Sequence, residues 1–109
     1  MRSWEIWLCP FPWGAHPAVI VSNSTRVARK NEIVVLACRT MQPTTFRDPV
    51  ETECLLDEAD GLSWKTLCRC DLLYTIKKST LKHCIGQVTF ERRRDIARKL
   101  QQGLAIAGL

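Results

Sequence analysis

Six consecutive apolar residues, Ile33-Val34-Val35-Leu36-Ala37-Cys38, constrain this chain more than any other feature. The first three are β-branched, which stiffens χ1 and favours extended backbone. A strand with one wet face alternates polar and apolar residues; a run with no polar position is buried on both faces. The segment therefore reads as the central strand of a sheet, with further strands on either side.

The flanking sequence supplies them. Glu5–Cys9 reads as a first short strand, broken by Pro10-Phe11-Pro12-Trp13-Gly14, because proline removes a ladder donor and glycine permits a turn. His16-Pro17 leads into a second apolar strand, Ala18-Val19-Ile20-Val21-Ser22. Asn23–Asn31 is polar and basic, a loop or short helix, and Arg39–Pro49 is a loop. Val50–Leu56 alternates in part, with Val50, Thr52 and Cys54 against Glu51 and Glu53. Ala59-Asp60-Gly61 is a turn, Thr66–Ile76 a strand bent near Leu72-Leu73, and Gly86 punctuates the chain before Val88. A helix closes the sequence. Thr89 is its expected cap, Glu91 suits its first turn, and Arg98 and Lys99 suit its end. Ile96, Leu100 and Leu104 recur every four residues with Ala97 beside them, and Gly103 is the expected stop. The expected fold is mainly β with α additions, a small β-barrel with a C-terminal helix, as one domain over residues 1–109.

Composition narrows the function classes. A chain of 109 residues has room for one core. No run approaches the ~20 apolar residues that span a bilayer. Met1-Arg2-Ser3-Trp4-Glu5-Ile6-Trp7 carries charge within its apolar stretch and makes a poor signal peptide, so the cytoplasm is the expected compartment and no membrane partner is expected. Five of the six cysteines (Cys9, Cys38, Cys54, Cys68 and Cys70) lie in strand-like apolar segments, where a free thiol behaves as a small hydrophobe. Cys68-x-Cys70 with His83-Cys84 does not have the spacing of a common zinc site, so neither metal nor other cofactor is expected. The net charge of +5 is unevenly spread. Glu51, Glu53, Asp57, Glu58 and Asp60 fall within ten residues, while bases collect at Arg26-Arg29-Lys30, Lys77-Lys78-Lys82 and Arg92-Arg93-Arg94-Arg98-Lys99. A basic balance favours polyanions through phosphate contacts and counterion release; a solvated helix face explains the last cluster as well.

The Thr66–Ile76 strand carries the chemistry. Side chains at i and i+2 share a face, so Arg69 and Asp71 are expected side by side, with Cys68, Cys70 and Leu72 opposite. A fixed cation beside a fixed carboxylate holds a phosphodiester and moves a proton; the plain alternative is a surface ion pair worth ~0–1 kcal/mol.

In order and spacing, these segments resemble the MazF/PemK toxins. Glu5-Ile6-Trp7-Leu8, a glycine-containing loop and His16-Pro17-Ala18-Val19-Ile20-Val21-Ser22 are similar to the family opening, which reads Gly-Asp/Glu-Ile-Trp, a loop, then Arg-Pro-Ala/Val and an apolar strand. Val34–Thr40 followed by Met41-Gln42 resembles the strand that ends in an active-site threonine. Arg69-Cys70-Asp71 matches the Arg-Cys-Asp of Kid (PemK) members, and Thr75-Ile76, Gly86-Gln87-Val88 and the last helix fit the C-terminal third. The resemblance implies an SH3-like barrel, a homodimer, and a ribosome-independent, sequence-specific endonuclease of single-stranded mRNA held in check by a cognate acidic antitoxin. DNA would be met only through the antitoxin complex.

The resemblance also implies roles. Asp71 would be the general base on the ribose 2′-hydroxyl, and Arg69 the general acid or the phosphate cation. Glu5 and Thr40 would orient the site. His16 stands where the family has arginine, or replaces the loop histidine that stabilises the transition state in Kid-like members; Arg39 would supply compensating charge. Apart from the resemblance, Trp13 and Phe46, on loops, would either stack on splayed bases or form a hydrophobic lid, and Lys77 and Lys78 would add phosphate contacts. The reaction needs no metal and leaves a 2′,3′-cyclic phosphate and a 5′-hydroxyl. Two other classes remain: a catalytically inactive barrel that binds an antitoxin-like or other protein, which the short first loop and the missing arginine support, and a topoisomerase-poisoning relative, for which Ala105-Ile106-Ala107-Gly108-Leu109 offers no match.

Overall fold

The all-apolar run lies in β3 (Glu32–Thr40), near the middle of a six-stranded antiparallel sheet. The computed structural model describes residues 1–104; the last five residues, weighed above against a topoisomerase poison, lie outside that range. The other strands are β1 (Glu5–Phe11), β2 (Gly14–Ile20), β4 (Glu53–Leu56), β5 (Thr66–Lys77) and β6 (Cys84–Gln87), in the order β4-β5-β3-β2-β1-β6. The helices are α1 (Ser24–Arg29), capped by the Asn23 side chain, and α2 (Phe90–Gly103). This is the mainly β architecture with a C-terminal helix that the sequence led us to expect.

β3 is buried on both faces because the curled sheet has two cores. One, around Ile6, Val19, Leu36, Cys38, Leu56 and Val88, is covered by α2 through Ile96 and Leu100. The other gathers Cys9, Phe11, Ala18, Ile20, Val35 and Ala37, with Val27 of α1.

Several sequence readings change: β2 runs from Gly14 to Ile20 rather than over Ala18–Ser22, and β3 continues through Arg39 and Thr40, which the sequence put in a loop. β1 does not stop at Cys9; it runs through Pro10 to Phe11, pairing Pro10 with Ala15 and Phe11 with Gly14. Leu8 directs its N–H and C=O away from β2, to His83 and Lys82, so two residues on the missing Pro10 donor also falls on that side, beyond the β6 pairing. β6, which the sequence showed only as a punctuating glycine, is a strand antiparallel to β1. β4 is shorter than Val50–Leu56, and its alternation is reversed in part: Glu53 is buried and Val50 exposed.

β5 departs most from simple alternation. Leu36 of β3 pairs with Leu73, and Cys38 pairs with Cys68. Two steps along β3 thus match five along β5, so β5 carries three extra residues between these pairs. An odd insertion swaps faces. Cys68 and Cys70 join the core beneath α2, whereas Tyr74 and Ile76 pack on the other.

The sheet edges meet without a ladder between them. The turn after β4 presses on β6, and the buried Asp60 carboxylate accepts from the Asp57 and Thr89 backbone N–H groups at 3.0 and 2.9 Å. Arg92, expected on a solvated helix face, instead bridges Asp57 and Asp60. Thr89 is the N-cap of α2, but it caps without a side-chain hydrogen bond.

Candidate nucleic-acid interface

Four of the residues chosen from the sequence converge on one pocket of about 210 Å³. They are Trp13, His16, Arg39 and Arg69, with Tyr74 completing the wall. The registers explain why. His16 lies opposite Cys9, and Ala18, two residues on and on the same face, lies opposite Ala37. Arg39 follows Ala37 by two and so shares that face. Arg69 reaches it from the first half of β5, and Tyr74 from beyond the insertion.

The tight β1–β2 hairpin shapes the pocket mouth. Gly14 has φ 126°, a conformation that glycine adopts without strain, and a Cβ there would stand 3.6 Å from His16 Nε2. Phe11 and Trp13 stack with ring centroids 4.8 Å apart and an interplanar angle of 5°. Tyr74 tilts against both, at 5.3 and 5.4 Å. Trp13 is nonetheless 55% exposed, so one flat apolar surface stands open beside two guanidinium groups.

Those guanidinium groups are uncommitted. Among the described residues, neither Arg39 nor Arg69 enters a salt bridge or a side-chain hydrogen bond. Glu53 pairs with Arg69 across β4 and β5, but its carboxylate is already occupied. Arg47 binds it through two hydrogen bonds of 2.7 and 2.8 Å, and the Val50 N–H adds a third at 3.0 Å. The Arg47 bonds, chiefly, hold the Glu53 carboxyl below its ordinary range. Arg69 thus keeps its donors for a ligand, and two such cations side by side attract an anion.

The other sequence candidates lie elsewhere. Asp71 does not line the pocket and forms no salt bridge with Arg69; it is exposed against the last turn of α2, where a Cβ on Gly103 would stand 3.5 Å from its own. The expectation of an Arg69–Asp71 pair on one open face fails because regular pairing of β5 with β3 is lost between them. Glu5 is tied to the N-terminal turn, its Oε1 accepting from Arg2 N at 2.8 Å and from Trp7 Nε1 at 3.0 Å. Thr40 ends β3 opposite Thr66 and lines a separate depression with Leu8, Pro17 and Trp64. Phe46 lies beyond that, with Lys65 Nζ 4.4 Å over its ring. Lys77 and Lys78 sit at the opposite end of the β3–β5 ribbon, where Lys78 Nζ donates to the Val27 carbonyl at 2.6 Å. Phe11 and Tyr74 were missed: Phe11 lies in a hairpin that the prolines disguised, and Tyr74 joins it from β5, beyond the insertion.

The PemK-like, MazF-like toxin profile of type II toxin–antitoxin systems matches residues 2–104. The chain belongs to this toxin family. An endoribonuclease solved in complex with its cognate antitoxin, from a mycobacterial species, superposes with a TM-score of 0.82 at 24% identity, over 97% of this chain and 96% of that one. The Mycobacterium tuberculosis toxin MazF-mt6 gives 0.77 at 21% identity, over 91% and 94%. MazF in a MazE–MazF crystal from Deinococcus radiodurans gives 0.69 at 16%, over 96% and 95%. At these identities the superpositions establish the family's fold for this chain. No curated protein matches the sequence. The MazF/PemK chain contains, among its described residues, no helix long and apolar enough to cross a membrane.

Proposed function

We propose that this MazF/PemK toxin is a sequence-specific endonuclease of single-stranded mRNA that works as a cytoplasmic homodimer and is restrained by an acidic antitoxin. The observation that carries the reading is the convergence of His16, Arg39 and Arg69 beside the exposed face of Trp13. Stacking and cationic contacts together suit single-stranded RNA, whose bases unstack onto aromatic rings while the backbone follows the charge.

The chemistry follows from these groups. The ribose brings its own nucleophile: its 2′-oxygen attacks the adjacent phosphorus, so the protein has to move two protons and stabilise charge. Imidazole is the side chain suited to proton transfer near neutral pH, and His16 is the imidazole in this pocket. Arg39 and Arg69 would take the charge that grows on the phosphoryl oxygens. The attack opens the bond to the 5′-oxygen, to which His16 would pass the proton it took from the 2′-hydroxyl, and leaves a 2′,3′-cyclic phosphate and a 5′-hydroxyl. Asp71, the base that family resemblance suggests, is two residues from Arg69 and stands as the rival to His16. The basic pocket also gives an acidic, partly disordered antitoxin a surface on which to order, blocking RNA as it binds.

The location of Asp71 outside the pocket and the engagement of Glu5 favour one second reading, an RNA- or antitoxin-binding barrel that does not cut. A long RNA incubated with the protein in EDTA, followed by end mapping, separates the two. The endonuclease reading expects cuts at one short motif with cyclic phosphate ends. Intact RNA that still shifts on a gel supports the binding module, and activity restored only by added Mg²⁺ or Mn²⁺ overturns the metal-free scheme.

A further inference from the structure

The ladder between β2 and β3 ends early, at the pair Ala18–Ala37. Pro17 is the cause. It lies opposite Leu8, whose N–H and C=O point away from β2. Pro17 therefore turns its own backbone toward β3, where it has no N–H to donate. Ala15, two residues earlier on β2, also directs its backbone at β3. On β3, the Met41 N–H bonds Lys65 on the β5 side, so the Thr40 backbone, one residue earlier, faces β2. The N–H and C=O groups of Ala15 and Thr40 thus look into a gap inside the sheet, outside any ladder, and both residues are exposed.

The gap has two sides. His16 and Arg39 stand on one, at the pocket already described. Their chain neighbours Ala15, Pro17 and Thr40 stand on the other, where they line a cavity of about 270 Å³ with Leu8, Ile85 and Trp64. Trp64 is 52% exposed. Its loop is held by the Thr66 hydroxyl, which donates to the Trp64 carbonyl at 3.0 Å. Phe46, an aromatic singled out in the sequence, has one face taken by Lys65 Nζ, so Trp64 is the freer platform.

We propose that Trp64 and the unpaired backbone of Ala15 and Thr40 form a base-reading subsite, which takes the nucleobase next to the scissile phosphate of RNA held by Arg39 and Arg69. The proposal rests on the reading of the arginine pocket as the RNA site. Arg39 and Thr40 are consecutive, so a single strand crossing the open end of β3 brings successive nucleotides to the two sides in turn. The chemistry fits an unstacked base. Its ring stacks on the indole, and its edge meets a donor and an acceptor from each strand. Backbone groups of fixed direction distinguish bases by their edges, whereas the arginines grip any phosphate. A peptide fits less well, because one free residue on each strand is too short an edge on which to add a ladder.

The probes are 2′-O-methyl hexanucleotides of U, A and C, which lack the attacking hydroxyl and stay intact. Indole N–H signals of the full-length protein are followed in ¹⁵N spectra, with Trp64→Phe assigning the Trp64 signal. The Trp13 and Trp64 signals should both shift, and the Trp64 shift should depend on the base. Trp64→Ala should weaken the best-bound hexanucleotide about ten-fold, the loss of one stacked base, and Trp64→Phe should recover most of it. Cut sites mapped on a long RNA should lose their preference at one position beside the cut in Trp64→Ala. A Trp13 shift with Trp64 unmoved overturns the proposal and leaves the RNA pocket standing; no shift at either ring rejects both. Equal Trp64 shifts with all three bases would make the ring a sequence-blind contact and also overturn the proposal. So would an oligoglutamate that moves the Trp64 signal as far as the oligonucleotides do, since the cleft would then suit an acidic peptide.

Discussion

The backbone of Gly86 in β6 presses so closely on Asp60 that a Cβ at position 86 would stand 2.2 Å from the Asp60 carbonyl oxygen. This contact joins the two ends of the curled sheet, with Arg92 and Thr89 of the α2 start fastened to the same aspartate. Gly86→Ala must push the turn away from β6. We expect a loss of about 1–3 kcal/mol in urea unfolding, the usual cost of forcing extra volume into a packed site. An unchanged midpoint would show that the edges can separate freely.

Arg92 is the cation nearest the buried Asp60. Arg92→Ala leaves that carboxylate with backbone donors only, so we expect a cost of about 3 kcal/mol. Arg94→Ala, on an exposed position of the same helix, should shift the unfolding midpoint little. Equal effects would mean that the run acts only as a solvated face.

Trp13→Ala should weaken binding of single-stranded RNA by about 1–3 kcal/mol, and the lost stacking on Phe11 should lower stability by about 0.5–1.5 kcal/mol as well. Arg69→Ala should weaken binding and lower the salt slope by about one. Lys77→Ala with Lys78→Ala should alter neither quantity, because Lys77 is the last residue of β5 and Lys78 follows it, at the end away from the pocket. Fluorescence anisotropy at several salt concentrations measures all of this. A large effect of the lysine pair would move the RNA path to the opposite end of the sheet.

His16→Ala and Asp71→Asn decide which group moves the proton. With His16 as that group, His16→Ala should slow cleavage by ~10²–10⁴-fold and Asp71→Asn should retain most of the rate. Single-turnover rates on a short oligonucleotide give the comparison. The opposite order would return the role to Asp71 and require residues 69–72 to rearrange around RNA.

Glu53 predicts an acid-sensitive interval. Its carboxyl is depressed in the folded protein, first by the hydrogen bonds from Arg47. A depressed carboxyl stabilises the fold fully above its unfolded value and loses that contribution as pH falls through the folded one. Urea midpoints should therefore fall as pH is lowered from about 5 to below 4. Glu53→Gln should be less stable at neutral pH and flatter through that interval. A parallel profile would assign the acid sensitivity to other carboxylates.

Much of the fold could be read in advance because burial dictates pattern. The run Ile33–Cys38 announced a central strand, and Ile96 with Leu100 announced the face of α2 that meets the core. The hairpin stayed hidden because Pro10 satisfies the strand rule only when the hydrogen-bond direction at Leu8 is known. The alternation only set Glu53 against Cys54; its burial stayed hidden because its partner, Arg47, lies in an irregular loop that no periodicity marks. Local alternation placed Asp71 beside Arg69, and only the pairing of β5 with β3 shows the break. His16, Arg39 and Trp13 were legible as types of residue; that they share one pocket depends on three separate registers.

The three extra residues in β5 make one strand serve as two. Cys68 and Cys70 belong to one core and Tyr74 and Ile76 to the other, so their mutational energies have no shared packing partner through which to couple. Substitutions in the two halves should add, although both lie in a single continuous element. Sequence drift can therefore repack the floor under α2 without disturbing the aromatic wall. In energetic terms the boundary inside this small protein runs across a strand, rather than between elements.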